Sequence, residues 1–337
     1  KYYLVISPYC FFQIIRLGLI RMSLSVNHDE ELSLSTRAAW LHYGGGLSQT
    51  EVAKRLGVTK IKAHRLIGRA NQEGIVKISF DGEIAECAAL EMKLSEAYLL
   101  SYCEIVPDLE EAGLPVRALG LAGGRFLSRE IASGDHDVIG VGNGRTLASC
   151  VRHMPSLKSK SVQFVSLMGG LTRNFAANPH DVMHRLAEKT GAEAYFMPVP
   201  FFANSTDDRN VMLQQRGVPE VRQMAAASSL KFVGIGTAEN TAQTVTSGVV
   251  AESAMQDVRE RGGVGEMVGH FFDQSGKRVQ SKLADRTLSV GIEALEESRI
   301  VAVGGGDEKV RAIGSLLRSG LLNGLITDER SAKALIN

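Results

Sequence analysis

From Ser101 onward, short β-rich runs alternate with helical stretches, and this alternation constrains the fold more than any other feature of the chain. The clearest runs are Asp137–Val141, Val162–Leu167, Ala194–Pro198, Lys231–Ile235 and Arg299–Val303, with Leu325–Thr327 near the end. Strands separated by helices cannot pair as hairpins; they return parallel to one another, which predicts an α/β domain with a doubly wound, mostly parallel sheet. The 35 glycines against 8 prolines suit the tight strand-to-helix turns of such a fold. Ligands of these sheets sit at the carboxyl ends of the strands, so the residues after each run are the candidates for function.

Four of those ends are glycine-rich. Gly142-Asn143-Gly144-Arg145-Thr146 follows the first run, and Met168-Gly169-Gly170 the second. Gly236-Thr237-Ala238-Glu239 and Gly304-Gly305-Gly306-Asp307-Glu308-Lys309 complete the set. Glycines let backbone N–H groups turn toward an anion, which a helix N-terminus also attracts. Arg145 and Lys309 fall within about one turn of such N-termini, where a cation is disfavoured by roughly 0.3–1 kcal/mol unless a bound anion reverses the sign. None of the loops matches a dinucleotide or Walker A pattern.

Other candidates are weaker. His180 and His184 are spaced i, i+4 as in a metal-binding helix, yet no third ligand accompanies them, and neither a metal nor a cofactor is expected. Phe271 to Lys277 reads as a hairpin in which Asp273 shapes the turn or faces a ligand, and Glu266 just before it is suited to accept sugar hydroxyls. No Ser-His-Asp or Cys-His arrangement can be argued.

The amino-terminal part has a different pattern. Leu34, Ala38 and Leu41 share one helical face, with Trp40 adding bulk to a small core, and Gly44-Gly45-Gly46 ends that helix. Ser48 caps the next helix in a capping box with Glu51. Gln49, Ala53 and Gly57 are spaced as in a helix-turn-helix: a small residue at the crossing, a glycine in the turn. The third helix begins near Thr59 and is expected to expose Thr59, Lys60, Lys62, Ala63, His64 and Arg65 to the major groove. Lys54, Arg55 and Arg69 suit phosphates, while Lys62 and Arg65 suit base edges. Residues 75–82 read as a β-hairpin wing. Between Ser48 and Lys77 seven Lys or Arg stand against two Glu, whereas the whole chain carries only +1. The basic charge is concentrated where DNA would lie.

These patterns divide the 337 residues into a winged helix-turn-helix over 32–82, a connecting helix over 83–100 and an effector and oligomerisation domain over 101–337. Leu90, Leu94 and Ala97 give the connecting helix an apolar face suited to dimerisation. Residues 1–31 read as an extension, with Met22 as the natural start. That apolar stretch is too short and interrupted for a membrane span. Four cysteines without a disulfide framework fit a reducing, cytoplasmic compartment.

LSQTEVAKRLGVTKIKAHRLI, VIGVGNGRTL, SLMGGL, FVGIGTAENTA, GGVGEMVGHFFDQSG, VAVGGGDEKVRAI and LITDERSAKALI together resemble the SorC family of sugar-binding transcription regulators. That family is related to deoxyribonucleoside and central glycolytic gene repressors, and the likeness runs from about Leu32 to the C-terminus. The head looks most like regulators of polyol (erythritol-type) catabolism. The resemblance implies a body related to sugar-phosphate isomerases, an effector that alters operator-DNA affinity, and a dimer or tetramer. It carries phosphate contacts onto Gly142, Gly144 and Thr146, and sugar-side contacts onto Met168, Gly170, Asn178, Glu266 and Lys309. Some relatives carry Arg where Met168 stands, so a sugar, a sugar phosphate and a neutral polyol all remain open as effectors. The alternative is a sugar-phosphate isomerase or deaminase with an added DNA-binding head, for which Glu266 and Asp273 are the only nearby bases.

Overall fold

A computed structural model describes residues 31–76, 84–109, 113–157, 161–171 and 181–336, and the chain divides into two compact units, residues 1–79 and 80–337. In the first unit, α1 (31–39) widens into a π-helical turn over Trp40–Gly44, followed by α2 (Gln49–Leu56) and α3 (Lys60–Gln72). The Glu51 N–H donates to Ser48 Oγ at 3.4 Å and the Ser48 N–H donates to the Glu51 carboxylate at 2.8 Å, closing the expected capping box. Gly57 turns the chain between α2 and α3 at φ +65°, a conformation that strains any side chain. Ala38, Leu41, Val52, Ala53, Ala63, Leu66 and Ile67 form the core.

Two expectations fail here. Trp40 is 67% exposed, because two residues beyond Ala38 is about 200° round a helix and away from the core face. Ala63 is fully buried: it shares the inward face of α3 with Leu66, Ile67 and Ala70, so it cannot reach DNA. Most of the expected wing, and nearly all of the amino-terminal extension, lie outside the described residues.

The second unit opens with α4 (Ile84–Tyr98), β1 (Tyr102–Val106), α5 (Val116–Ser133), β2 (Val138–Val141) and α6 (Arg145–His153). Next come β3 (Gln163–Gly170), α7 (Val182–Thr190), β4 (Ala194–Pro200), α8 (Thr206–Leu213), α9 (Val218–Ala227) and β5 (Leu230–Gly234). An insertion carries β6 (Gly236–Thr237), α10 (Gln243–Thr246), α11 (Glu252–Glu260), β7 (Gly263–Met267), β8 (His270–Asp273) and β9 (Arg278–Val279). The chain returns through α12 (Ile292–Glu296), β10 (Arg299–Val303), α13 (Val310–Arg318), β11 (Gly324–Asp328) and α14 (Glu329–Ile336).

Seven strands form one sheet in the order β1-β11-β10-β5-β2-β3-β4, and every neighbouring pair is parallel. Its inner strands are buried on both faces. Ile300 and Ala302 of β10 pack with Leu94, Ile313 and Leu316, while Val301 and Val303 pack with Leu119, Phe126 and Leu147. From β2 the chain winds outward through β3 and β4; from β5 it winds the other way through β10 and β11. The connections therefore diverge between β2 and β5 and leave a crevice at their carboxyl ends.

Three findings go beyond or against expectation. β6 to β9 form a separate antiparallel sheet over their own apolar cluster, which includes Val258 and Phe271. The helix over 84–98 packs into the second unit through buried Cys87 and Leu94, and Ala97, expected on its apolar face, is exposed. β3 runs through Met168-Gly169-Gly170 instead of ending in a loop there. A Cβ at Gly169 would stand 2.3 Å from the Pro200 carbonyl oxygen, so that glycine serves the close approach of two strand ends. Among the described residues no helix is long and apolar enough to cross a membrane.

Candidate functional site

The crevice between β2 and β5 is assembled from three loops. The Gly142 N–H donates to the Phe232 carbonyl at 2.9 Å, tying the end of β2 to β5. Asn143 Oδ1 accepts the Gly144 N–H at 2.7 Å, and Gly144, at φ +126°, delivers Arg145 as the first residue of α6. No side chain caps α6, so its amino-terminal donors and dipole remain available to an anion. Thr146 is buried at this turn, while Arg145 is exposed.

Lys309 enters from the far side, immediately before α13. Its Nζ donates to the Ile235 carbonyl at 2.6 Å, so the side chain reaches from the end of β10 to the end of β5. Burial, with Arg145 as a neighbouring cation, lowers its pKa to about 8, against the opposing pull of Glu266 and Glu308. Glu266 of β7 lies opposite Gly236 of β6 and accepts the Gly269 N–H at 2.5 Å. Burial holds its carboxyl above the usual range, although the Gly269 N–H and Lys309 partly offset this. A Cβ on Gly236 would fall 2.2 Å from Glu266 Oε2, which gives that glycine its purpose. Among the described residues neither Arg145 nor Lys309 is ion-paired to a carboxylate. The arrangement provides an anion cradle at the start of α6 and a carboxyl able to bind hydroxyl groups.

Other expected contacts are elsewhere. Asp273 Oδ1 accepts the Ser275 N–H, the Ser275 hydroxyl and the Lys277 N–H at 2.9, 2.7 and 3.0 Å, so it builds the hairpin turn and not the crevice. Met168 is 7% exposed in the apolar core, and Gly169 donates its N–H to the Leu288 carbonyl, leaving Gly170 as the exposed member of that trio. Asn178 and His180 lie outside the described residues. In the triple-glycine loop the Gly306 N–H donates to Asp328 Oδ2 at 2.8 Å and is within 2.9 Å of Ser331 Oγ, so it is not free for a ligand. Asp328 and Ser331, passed over in the sequence, hold this loop in shape. The only local signal was an aspartate closing a strand with a serine three residues on.

On the helix-turn-helix, Lys54, Arg55, Lys60, Lys62, His64 and Arg65 are exposed. Thr59 Oγ1 accepts the Lys62 N–H and caps α3, as Ser48 caps α2. Gln49 Oε1 lies 3.3 Å from His64 Nδ1. Arg69 does not reach outward as expected: it pairs with Glu31 at 2.5 Å, its side chain is 23% exposed, and it joins α3 to α1. Arg65 lies 3.6 Å from the same carboxylate but keeps 72% of its side chain exposed. Ile61, also passed over, is 82% exposed between Lys60 and Lys62, where an apolar group suits a thymine methyl.

Known proteins share both parts. The Sugar-bind family model, described as "Putative sugar-binding domain", matches residues 82–337. The erythritol catabolism regulatory protein EryD of Brucella abortus (strain 2308) is 55% identical over 308 residues, covering 91% of this chain and 98% of the relative. The transcriptional regulator LsrR of Enterobacter sp. (strain 638) is 29% identical, covering 91% and 93%. The full-length sorbitol operon regulator SorC from Klebsiella pneumoniae superposes with a TM-score of 0.71 at 23% identity, over 90% of this chain and 98% of that one. A chain carrying a helix-turn-helix and a parallel sheet with a glycine-lined, cationic switch point, matched along nearly its whole length by regulators, belongs to the SorC family of sugar-binding transcriptional regulators.

Proposed function

We propose that this chain regulates a carbohydrate or polyol catabolic operon, binding operator DNA through the helix-turn-helix and responding to a sugar, polyol or phosphorylated derivative in the crevice between β2 and β5. The observation that carries this reading is the meeting of Arg145, Lys309 and Glu266 around the uncapped start of α6. Gly142, Asn143, Gly144 and Thr146 complete the cradle, with Gly170 at its margin. The relative named for erythritol catabolism supports a small polyol or its phosphate as the effector.

On the DNA side, Lys62, Arg65 and Ile61 face base edges, and Lys54, Arg55 and Lys60 face phosphates. Gln49 orients His64. One such module binds weakly, so a homo-oligomer placing two heads on two half-sites is part of the proposal. Ligand that favours one arrangement of the oligomer changes how the heads match those half-sites.

The test is a gel shift on DNA upstream of the protein's own operon, titrated with erythritol, its phosphates and hexose phosphates. Retardation that one of these alters supports the reading; no retardation at low salt removes it. Turnover of a pentose or amino-sugar phosphate would instead make Glu266, with its raised carboxyl pKa, the base of an isomerase.

A further inference from the structure

The β7–β8 hairpin has a second side. Glu266 lies opposite Phe271 and His270 opposite Met267, so Glu266 and His270 emerge from opposite faces of the hairpin. Glu266 borders the crevice described above. His270 instead borders a cavity of about 180 Å³, walled also by Arg209 of α8, Arg222 of α9, Arg278 of β9 and the extended segment 287–290.

Two of these arginines are held in place from behind. Arg209 Nε donates to the Thr287 carbonyl at 2.8 Å, and Arg222 Nε to the Ser289 carbonyl at 3.4 Å, two residues along the same segment. His270 Nε2 donates to the Val290 carbonyl at 2.9 Å. Burial is the main reason that Arg222 and His270 hold a proton less readily than usual. Neighbouring cations add to it, Arg209 at Arg222 and both Arg278 and Arg209 at His270, against the opposing pull of Glu293 and, at His270, of the Val290 carbonyl. Against three arginines, two of them fixed through Nε, the cavity presents one carboxylate, the exposed Glu293. Among the described residues none of the three arginines forms an ion pair with it or with any other carboxylate. Guanidinium groups fixed through Nε keep terminal N–H donors, and such forks match the oxygens of a phosphate.

We propose that this cavity is a second ligand site, which takes a phosphate or phosphoryl group and shares no side chain with the crevice between β2 and β5. The source is a free ion or a small phosphorylated metabolite, and both satisfy the same donors. The inference does not rest on the identity of the effector in the crevice.

The test uses full-length protein and calorimetric titration with inorganic phosphate and, separately, glycerol 3-phosphate in phosphate-free, low-salt buffer. Lys309→Ala serves as the background, so that phosphate in the crevice is suppressed. That variant is expected to bind phosphate saturably. Adding Arg278→Gln should weaken binding about tenfold or more, the loss of one charge-assisted hydrogen bond. The Arg278 side chain makes no hydrogen bond or ion pair among the described residues and only repels a charged His270, so this change is expected to leave the fold intact, and an unchanged melting temperature without ligand checks that. Arg222→Gln should weaken binding similarly. Arginine-dependent binding of glycerol 3-phosphate identifies a metabolite, and arginine-dependent binding of inorganic phosphate alone identifies the free ion; either supports the site. Three results overturn it: no binding in the Lys309→Ala background, equal binding with and without Arg278, or an Arg278→Gln change in sedimentation with phosphate binding untouched. The last would assign the arginines to contacts between copies of the chain. Effector-dependent operator release is measured independently and is not altered by any of these results.

Discussion

At the scale of residues, the balance of charge around Lys309 would decide what the proposed effector site can hold. Its ammonium, desolvated and beside Arg145, titrates near pH 8. Below that pH the site offers two cations; above it, one. A phosphorylated effector should therefore bind progressively more weakly as pH rises through 8, whereas a neutral polyol should bind with little change, and calorimetry from pH 6.5 to 9.5 distinguishes them. Lys309→Ala should weaken the effector response about tenfold or more while operator affinity stays within twofold. Arg65→Ala should do the reverse, costing about 1–3 kcal/mol of operator binding and leaving effector binding unchanged. Gel shifts and calorimetry on the two variants check both statements, and damage to the same activity by both would refute this division. Ala63 and Arg69 show how finely the proposed DNA-facing surface is drawn. Buried Ala63 stands directly between exposed Ile61 and Lys62 on one side and exposed His64 and Arg65 on the other, and the helix turns Arg69 back toward Glu31.

At the scale of elements, a short strand and a helix end set the geometry. β6 is only two residues long, yet it seats Glu266 against Gly236. Gly236→Ala would place a methyl group on the carboxylate at 2.2 Å, so effector affinity should fall with operator binding preserved. β5 carries a fully buried Lys231, whose Nζ donates to the Ala226 and Ser228 carbonyls at 3.1 and 2.9 Å and to Ser298 Oγ at 2.6 Å. This ammonium satisfies carbonyl groups at the end of α9. Burial lowers its pKa from 10.5 to about 8. Between those values the unfolded chain binds the extra proton, so stability rises with pH across that interval. Lys309 adds a similar rise. Lys231→Met should then make stability rise less between pH 8 and 10 than in the unaltered chain, as read from urea titrations at both, and cost about 1–3 kcal/mol at pH 7 through the carbonyls left unpaired.

At the scale of the molecule, two units carry separate cores, and each presents its own charged surface: a basic recognition helix on one, a cationic crevice on the other. Ligand that binds only folded protein raises the melting temperature, so a thermal-shift screen of sugars, polyols and their phosphates should find stabilisers whose effect Lys309→Ala removes. Much of this was legible along the chain. The strand Arg299–Val303 was placed to the residue, and the Ser48–Glu51 box and the turn at Gly57 follow from local chemistry. Caps, turns and apolar periods act over a few residues, and a sequence displays them directly. What no short window holds is which distant segments meet. The Gly306 N–H goes to Asp328, more than twenty residues away, and the arginine cavity draws on positions from 209 to 293. The antiparallel β6–β9 sheet, the burial of Met168 and the encounter of Arg145, Glu266 and Lys309 are decided likewise by strand order and packing. The sequence by itself determined the kinds of element and the loops able to bear a ligand. Only the tertiary structure decided which loops share a crevice, because strand order comes from burying both faces of one sheet at once, a condition on the whole chain.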